Sequence, residues 1–265
     1  MFPIRDDVPS TRVPVVNTAI VVICSLVFLL QFAGGDGGER MAEEYGFVPA
    51  RLTQPGRPLV IPHRELVRTP GGMEVRETER ELAPTPISPV LTLLTCMFLH
   101  GGWMHIIGNM WFLVVFGDNV EDRFGHLGYL LFYLGCGLAA SVLQLIASPF
   151  SPIPTIGASG AIAGVMGAYF IMFPRAQVLT LIPIFIFLQF VVLPAPLFLG
   201  IWFLFQLVFA AFSETGVGGV AFWAHVGGFA AGLGITLWLK NIGRLGGDTR
   251  YVQLISSRRE PPRWN

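Results

Sequence analysis

Apolar runs longer than those of a soluble domain recur along this 265-residue chain. A helix crossing a bilayer core needs about 20 mostly apolar residues, because no water is there to satisfy open backbone groups. Five runs meet this loosely: 13–32, 99–116, 127–147, 159–173 and 221–239. The first is longer than the apolar core of a signal peptide and is read as an uncleaved span. A further run, 178–212, is broken by Pro183, Pro194 and Pro196 and could hold one span or two. Proline removes a backbone donor, so Pro194-Ala195-Pro196 predicts a helix start near Pro196. Residues 196–212 then form the fifth of six spans, and 178–193 an interfacial or irregular connector.

The predicted fold is an all-α, six-helix membrane bundle over residues 13–240, with an N-terminal segment 1–12, a long first loop 34–88 and a polar tail 241–265. Composition agrees, since 53% of residues are hydrophobic and 13% charged, against about 25% charged in a soluble domain. Disordered, collagen-like and disulfide-stapled chains each need a different excess. The net charge is zero, which gives no general attraction to nucleic acid. Placement of the charges says more. Six spans put both termini on one face with ten of the 17 basic residues, while the other seven share the first loop with nine acids. Long loops translocate despite their charge, so the termini are expected inside, with the basic tail against anionic headgroups. Within the first loop, residues 62–86 alternate in charge and read as a solvated hairpin or insertion. Cys24, Cys96 and Cys136 are odd in number and lack CxxC spacing, and are read as packing residues.

Polar side chains within spans are costly and therefore functional candidates. His105 and Asn109 lie one turn apart on the second span, Ser159 opens the fourth, and His225 sits in the first turns of the sixth. All three spans run from outside to inside, so these groups share a depth, provided that a single span separates Ser159 from His225. Small residues follow one face of the fourth span (Gly160, Gly164, Ala168) and of the sixth (Ala224, Gly228, Gly232), which permits close backbone packing. Between Ser159 and Lys240 the one carboxylate is Glu214, in a loop. A Ser/His pair here has no aspartate, and the orienting work falls to packing. Separate, bland readings also exist: Ser159 as a helix N-cap, His105 with Asn109 as interhelical hydrogen-bonding groups, and His225 as a satisfied core histidine. A common depth favours the joint reading over all three.

These residues resemble the rhomboid family of intramembrane serine proteases. Gly157-Ala158-Ser159-Gly160 resembles its GxSG nucleophile motif, and Ala224-His225-Val226-Gly227-Gly228 its AHxGG motif. His100 through Asn109 resembles its HxxxxHxxxN pattern, and Glu121-Asp122-Arg123-Phe124-Gly125 also follows the family. The resemblance covers nearly all of 3–239. It implies Ser159 as nucleophile and His225 as general base and acid. The oxyanion hole would comprise His105, Asn109 and the Ser159 N–H, with His100 and Gly157 as accessory residues. It further implies transmembrane-helix protein substrates that reach the site laterally between the second and fifth spans, near Trp202, Phe203 and Phe205. No metal or cofactor is implied, and the expected setting is a bacterial plasma membrane with both termini cytoplasmic.

One departure stands out. Many members carry a Trp-Arg pair ahead of the second span where this chain has Leu91-Thr92, which leaves the anchoring of the first loop open. Rival readings are a catalytically inactive relative that binds and escorts membrane clients, a small transporter, and a metalloprotease using His100, His105 and His225. The transporter should show polar groups at several depths, and the metalloprotease lacks an HExxH carboxylate.

Overall fold

A computed structural model describes residues 1–35, 38–69, 72–184, 187–212 and 220–245. In chain order these form β1 (Phe2–Asp6), α1 (Val15–Ala33), α2 (Glu39–Tyr45), α3 (Pro49–Thr53), β2 (Val60–Thr69) and β3 (Gly72–Glu81). Then follow α4 (Thr92–Thr95), a 3-10 turn (Cys96–Phe98), α5 (Trp103–Phe124), α6 (His126–Ala147) and α7 (Ser159–Met172). The chain continues with β4 (Gln177–Ile184), β5 (Phe187–Pro194), α8 (Ala195–Phe212) and α9 (Phe222–Asn241). Four helices, α1, α6, α8 and α9, are long and apolar enough to cross a membrane. Of the other two expected spans, α7 is apolar but only 14 residues long. α5 runs past the expected end at Phe116 to Phe124 and carries Asp118, Glu121, Asp122 and Arg123.

The all-α expectation is corrected by two sheets. One has the order β1-β4-β5 and the other is the β2-β3 hairpin, all antiparallel. Residues 178–193, expected as an interfacial or irregular connector, instead fall in the antiparallel strands β4 and β5, the second of which runs directly into α8. Their apolar residues fall on both faces, so the period-two alternation that marks a half-buried strand is missing from the sequence. Val178 and Thr180 of β4 are fully buried, whereas Phe187, Leu188 and Phe190 of β5 are exposed. β1 is a five-residue strand whose partner lies far along the chain, with Phe2 opposite Leu181. The expected tail lies outside the described residues from 246 onward.

α7 can be short because it is enclosed: every residue from Gly160 to Tyr169 is buried. Its small residues let α9 approach backbone to backbone. A Cβ added at Gly228 would stand 1.8 Å from the Gly160 carbonyl oxygen, and one at Gly232 would stand 2.0 Å from that of Gly164. On the other side, a Cβ at Gly160 or Gly164 would meet Ala140 or Cys136 of α6. Cys24, Cys96 and Cys136 are buried free thiols.

At the opposite end of α7, Glu121 of α5 caps α1 by accepting hydrogen bonds from the Val16 and Asn17 N–H groups at 2.9 and 2.7 Å. These donors lack intrahelical partners, and the carboxylate suits the positive end of the helix dipole. Asp6 of β1 accepts from the Asn119 side chain at 2.9 Å and from the Tyr169 hydroxyl of α7.

The first loop has its own anchor. The Glu43 carboxylate pairs with Arg80 of β3 and accepts from the Ala83 N–H at 3.0 Å, while Arg51 donates to the Glu43 and Ala83 carbonyls. Burial works against the charged Glu43, but the Arg80 and Ala83 bonds prevail and hold its carboxyl below the ordinary range. An isolated strand pair between Phe47 and Thr155 ties this loop to the segment entering α7. The insertion 62–86 is mainly the β2-β3 hairpin, and residues 72–77 of β3 are exposed to solvent.

Candidate active site

Three backbone features bring Ser159 to the edge of a cavity. Gly157 has φ +123°, a conformation that L side chains rarely adopt, and its N–H donates to the Cys96 carbonyl at 2.8 Å. A Cβ there would lie 2.7 Å from Nε2 of His105. Glycine is thus required both by the turn and by the ring beside it. Two residues later the chain enters α7 with Ser159 as its first residue, where the backbone N–H groups have no partners within the helix.

His225 occupies the first turn of α9, which the glycine contacts hold against α7. Its Nε2 lies 2.7 Å from the Ser159 hydroxyl. On the other side of the ring, Nδ1 lies 2.7 Å from Oε1 of Gln206 on α8. An amide oxygen only accepts, so Nδ1 carries the proton and Nε2 accepts from the serine hydroxyl. A serine in this arrangement can pass its proton to the imidazole. With no carboxylate nearby in sequence, packing alone was expected beside the imidazole; the structure adds the Gln206 amide at Nδ1. Gln206 belongs to no motif, and its one signal in the sequence is the cost of a polar amide within the apolar run 196–212.

On α5, the Gly101 N–H donates to Nδ1 of His105 at 3.2 Å, so the neutral ring carries its proton on Nε2, the nitrogen facing Gly157. Asn109 is buried with its Nδ2 near Gly157, and this donor has no protein partner among the described residues. Two N–H donors thus converge beside Gly157, two residues before Ser159, and such donors suit an oxyanion. His100 stands further back. Its ring packs edge-on against His105, with centroids 5.2 Å apart, and its backbone is bracketed by Gln31 of α1 through bonds of 3.0 and 3.3 Å.

Ser159 and His225 border a cavity of ≈ 960 Å³ that also reaches Ser141, Gln144 and Ser148 of the α6 end. Among the described residues, no three His, Cys, Asp or Glu side chains gather as a metal-ligand set, and His100, His105 and His225 do not converge on one point. Glu214 lies outside the described residues. Of the aromatic residues expected near an access route, Phe203 stacks on Phe229 at 4.3 Å and Trp202 lies 6.0 Å from His225, while Phe205 faces outward.

The Rhomboid domain family model matches residues 88–241, more than half of the chain, and this stretch contains every polar group of the site. The chain belongs to the rhomboid family. With its apolar helices, this makes it an integral membrane protein. It is 29% identical over 136 residues to the RHOMBOID-like protein 6, mitochondrial, of Arabidopsis thaliana, covering 51% of this chain and 40% of that relative. Identity to RHOMBOID-like protein 4 of the same plant is 30% over 155 residues, covering 58% and 36%. The rhomboid protease GluP of Bacillus subtilis (strain 168) is 42% identical over 76 residues, covering 29% and 14%. The matches span less than half the length of these relatives.

Proposed function

We propose that this rhomboid is an intramembrane serine endopeptidase that cuts membrane proteins within or beside a transmembrane helix. The observation that carries the reading is the 2.7 Å bond between the Ser159 hydroxyl and His225 Nε2, supported by the Asn109 donor, which has no protein partner among the described residues. Six spans fit this function, with α5 and α7 crossing alongside the four long apolar helices. α5 is tied by Glu121 to the end of α1, and α7 is enclosed by its neighbours and need not match the lipid thickness. Both termini then lie on the cytoplasmic side. The relatives are drawn from plant mitochondria and chloroplasts as well as a Bacillus, and lend no support to a bacterial plasma membrane in particular.

In the proposed reaction, Ser159 Oγ attacks the scissile carbonyl carbon while its proton passes to His225 Nε2. The carbonyl oxygen becomes an oxyanion facing the His105 Nε2–H, the Asn109 amide and the Ser159 N–H. Collapse of this intermediate breaks the C–N bond. His225 returns the proton to the leaving amine, and an acyl-enzyme ester remains on Ser159. Water reaching the cavity past Ser141 and Gln144 then gives its proton to His225 and hydrolyses the ester, which restores the serine.

Cleavage of a designed single-span substrate in liposomes tests this. Ser159→Ala and His225→Ala should each abolish cleavage in a folded protein, and a chelator should leave the wild-type rate unchanged. Asn109→Ala should cost about 10²-fold in rate, since one oxyanion donor of several is lost. Near-wild-type cleavage by either dyad variant would overturn the assigned roles. A folded wild-type protein that binds the substrate without cutting it would point to the client-binding alternative.

A further inference from the structure

α8 is the least enclosed of the helices that form the site. From Gly200 to Phe212 two residues are buried, Gln206 and Ala210, and large apolar side chains such as Leu204, Phe205 and Phe209 face outward. One of the two inward positions is therefore a polar amide, where an aliphatic residue would cost nothing to desolvate. Its atoms are all employed. Oε1 takes the proton of His225 Nδ1 at 2.7 Å, and Nε2 donates to the Trp202 carbonyl one turn earlier at 3.5 Å, which fixes the amide with its oxygen toward the ring. The aromatic rings of Trp202 and Phe222, centroids 6.0 and 6.3 Å away, flank His225 without offering Nδ1 an acceptor.

Given the protease reading above, we propose that Gln206 is a positioning residue for the base. It holds the His225 ring in the tautomer that leaves Nε2 free to accept from Ser159. A carboxylate in this place would stabilise the imidazolium more strongly, but an ionised group is costly on a lipid-facing helix, and a neutral amide supplies the same acceptor without that charge. Because α8 supplies the acceptor and α9 the ring, the proton pattern of the site depends on α8 staying seated.

The test uses the full-length protein with Gln206→Met, which keeps length but loses the acceptor, and Gln206→Glu, which keeps an acceptor. Gln206→Leu serves as a second acceptor-free variant should Gln206→Met fold poorly. For the single-span substrate in liposomes, Gln206→Met should lower kcat about tenfold, the effect of one lost buried hydrogen bond, with KM unchanged. Gln206→Glu should recover most of that loss. In detergent, nitrogen NMR of histidine-labelled protein should show the Nδ1–H tautomer for His225 in the wild type, and its loss in Gln206→Met. Wild-type kcat in the acceptor-free variants, or an equal fall in Gln206→Glu, would overturn the proposal. If the wild type shows no Ser159-dependent cleavage, the protease reading fails instead. The NMR comparison still decides on Gln206, because an identical His225 spectrum in wild type and Gln206→Met would refute the bond.

Discussion

α8 and α9 each supply one member of the chain Ser159–His225–Gln206, yet they are held by different means. α9 meets α7 backbone to backbone, with Gly228 against the Gly160 carbonyl and Gly232 against that of Gly164. At these two crossings a carbonyl faces a glycine directly, so the distance from His225 to Ser159 is set chiefly by the main chain. α8 is held instead through side chains. At its beginning Phe198 packs against Phe112 and Phe116 of α5, and further along Phe203 stacks on Phe229 of α9. Backbone contact fixes where the base stands, and side-chain contact on α8 fixes which way its proton points. The first arrangement tolerates almost no substitution, whereas the second can loosen and re-form.

Gly228→Val is the harshest way to break this comparison. Its branched side chain cannot fit beside the Gly160 carbonyl, and α9 must move away from α7. We expect a strongly lowered unfolding temperature in detergent and no labelling of Ser159 by a serine-reactive phosphonate. Phe203→Ala should act more mildly. It removes an aromatic stack at 4.3 Å worth about 1 kcal/mol, so unfolding should shift by a few degrees while phosphonate labelling of Ser159 persists. Equal damage from both variants would show that α8 and α9 are gripped alike.

The smallest expected effect on Ser159 comes from the far end of α7. Burial pushes the Asp6 carboxyl up to about 7, against the Tyr169 hydrogen bond and helped by the nearby Asp118 charge. The folded protein thus holds this proton more tightly than the unfolded chain, whose Asp titrates near 3.8. The resulting stabilisation is complete below about pH 4 and is lost as pH rises through about 7. Thermal unfolding followed across that range should show a decline that Asp6→Asn flattens. An unchanged slope in Asp6→Asn would remove Asp6 as its source. Ser159 labelling should be the same in both proteins, because the α7–α9 contact is unaffected.

Much of this was legible in the chain. Long apolar runs marked the helices, and the small-residue faces of 159–173 and 221–239 foretold the contact that now appears atom against atom. The polar groups His105, Asn109, Ser159 and His225 stand out because lipid disfavours them; the structure brings His105, Ser159 and His225 to one cavity, with the Asn109 amide near Gly157 of its wall. Strand β5 did not stand out, since Phe187, Leu188 and Phe190 are apolar on both faces and give no periodic signal. β1 was hidden for another reason: five residues carry too little pattern, and pairing with β4 is a tertiary event. Gln206 fell between these cases, visible as a polar residue in an apolar span but without a motif to draw attention to it. The anchoring of the first loop could not be read either, because Glu43 and Arg80 meet only through the fold of the β2-β3 hairpin.

The pairing of β1 with β4 also bears on biogenesis. Phe2 meets Leu181, so the first strand leaves the ribosome nearly 180 residues ahead of its partner. At about 5–20 residues per second this amounts to roughly 10–35 s of synthesis. For that interval β1 has neither the sheet nor the Tyr169 hydroxyl to bind. Closure of the sheet is consequently a late step of assembly, and it joins residues 2–6 to the helix that bears Ser159 only after that helix has been made.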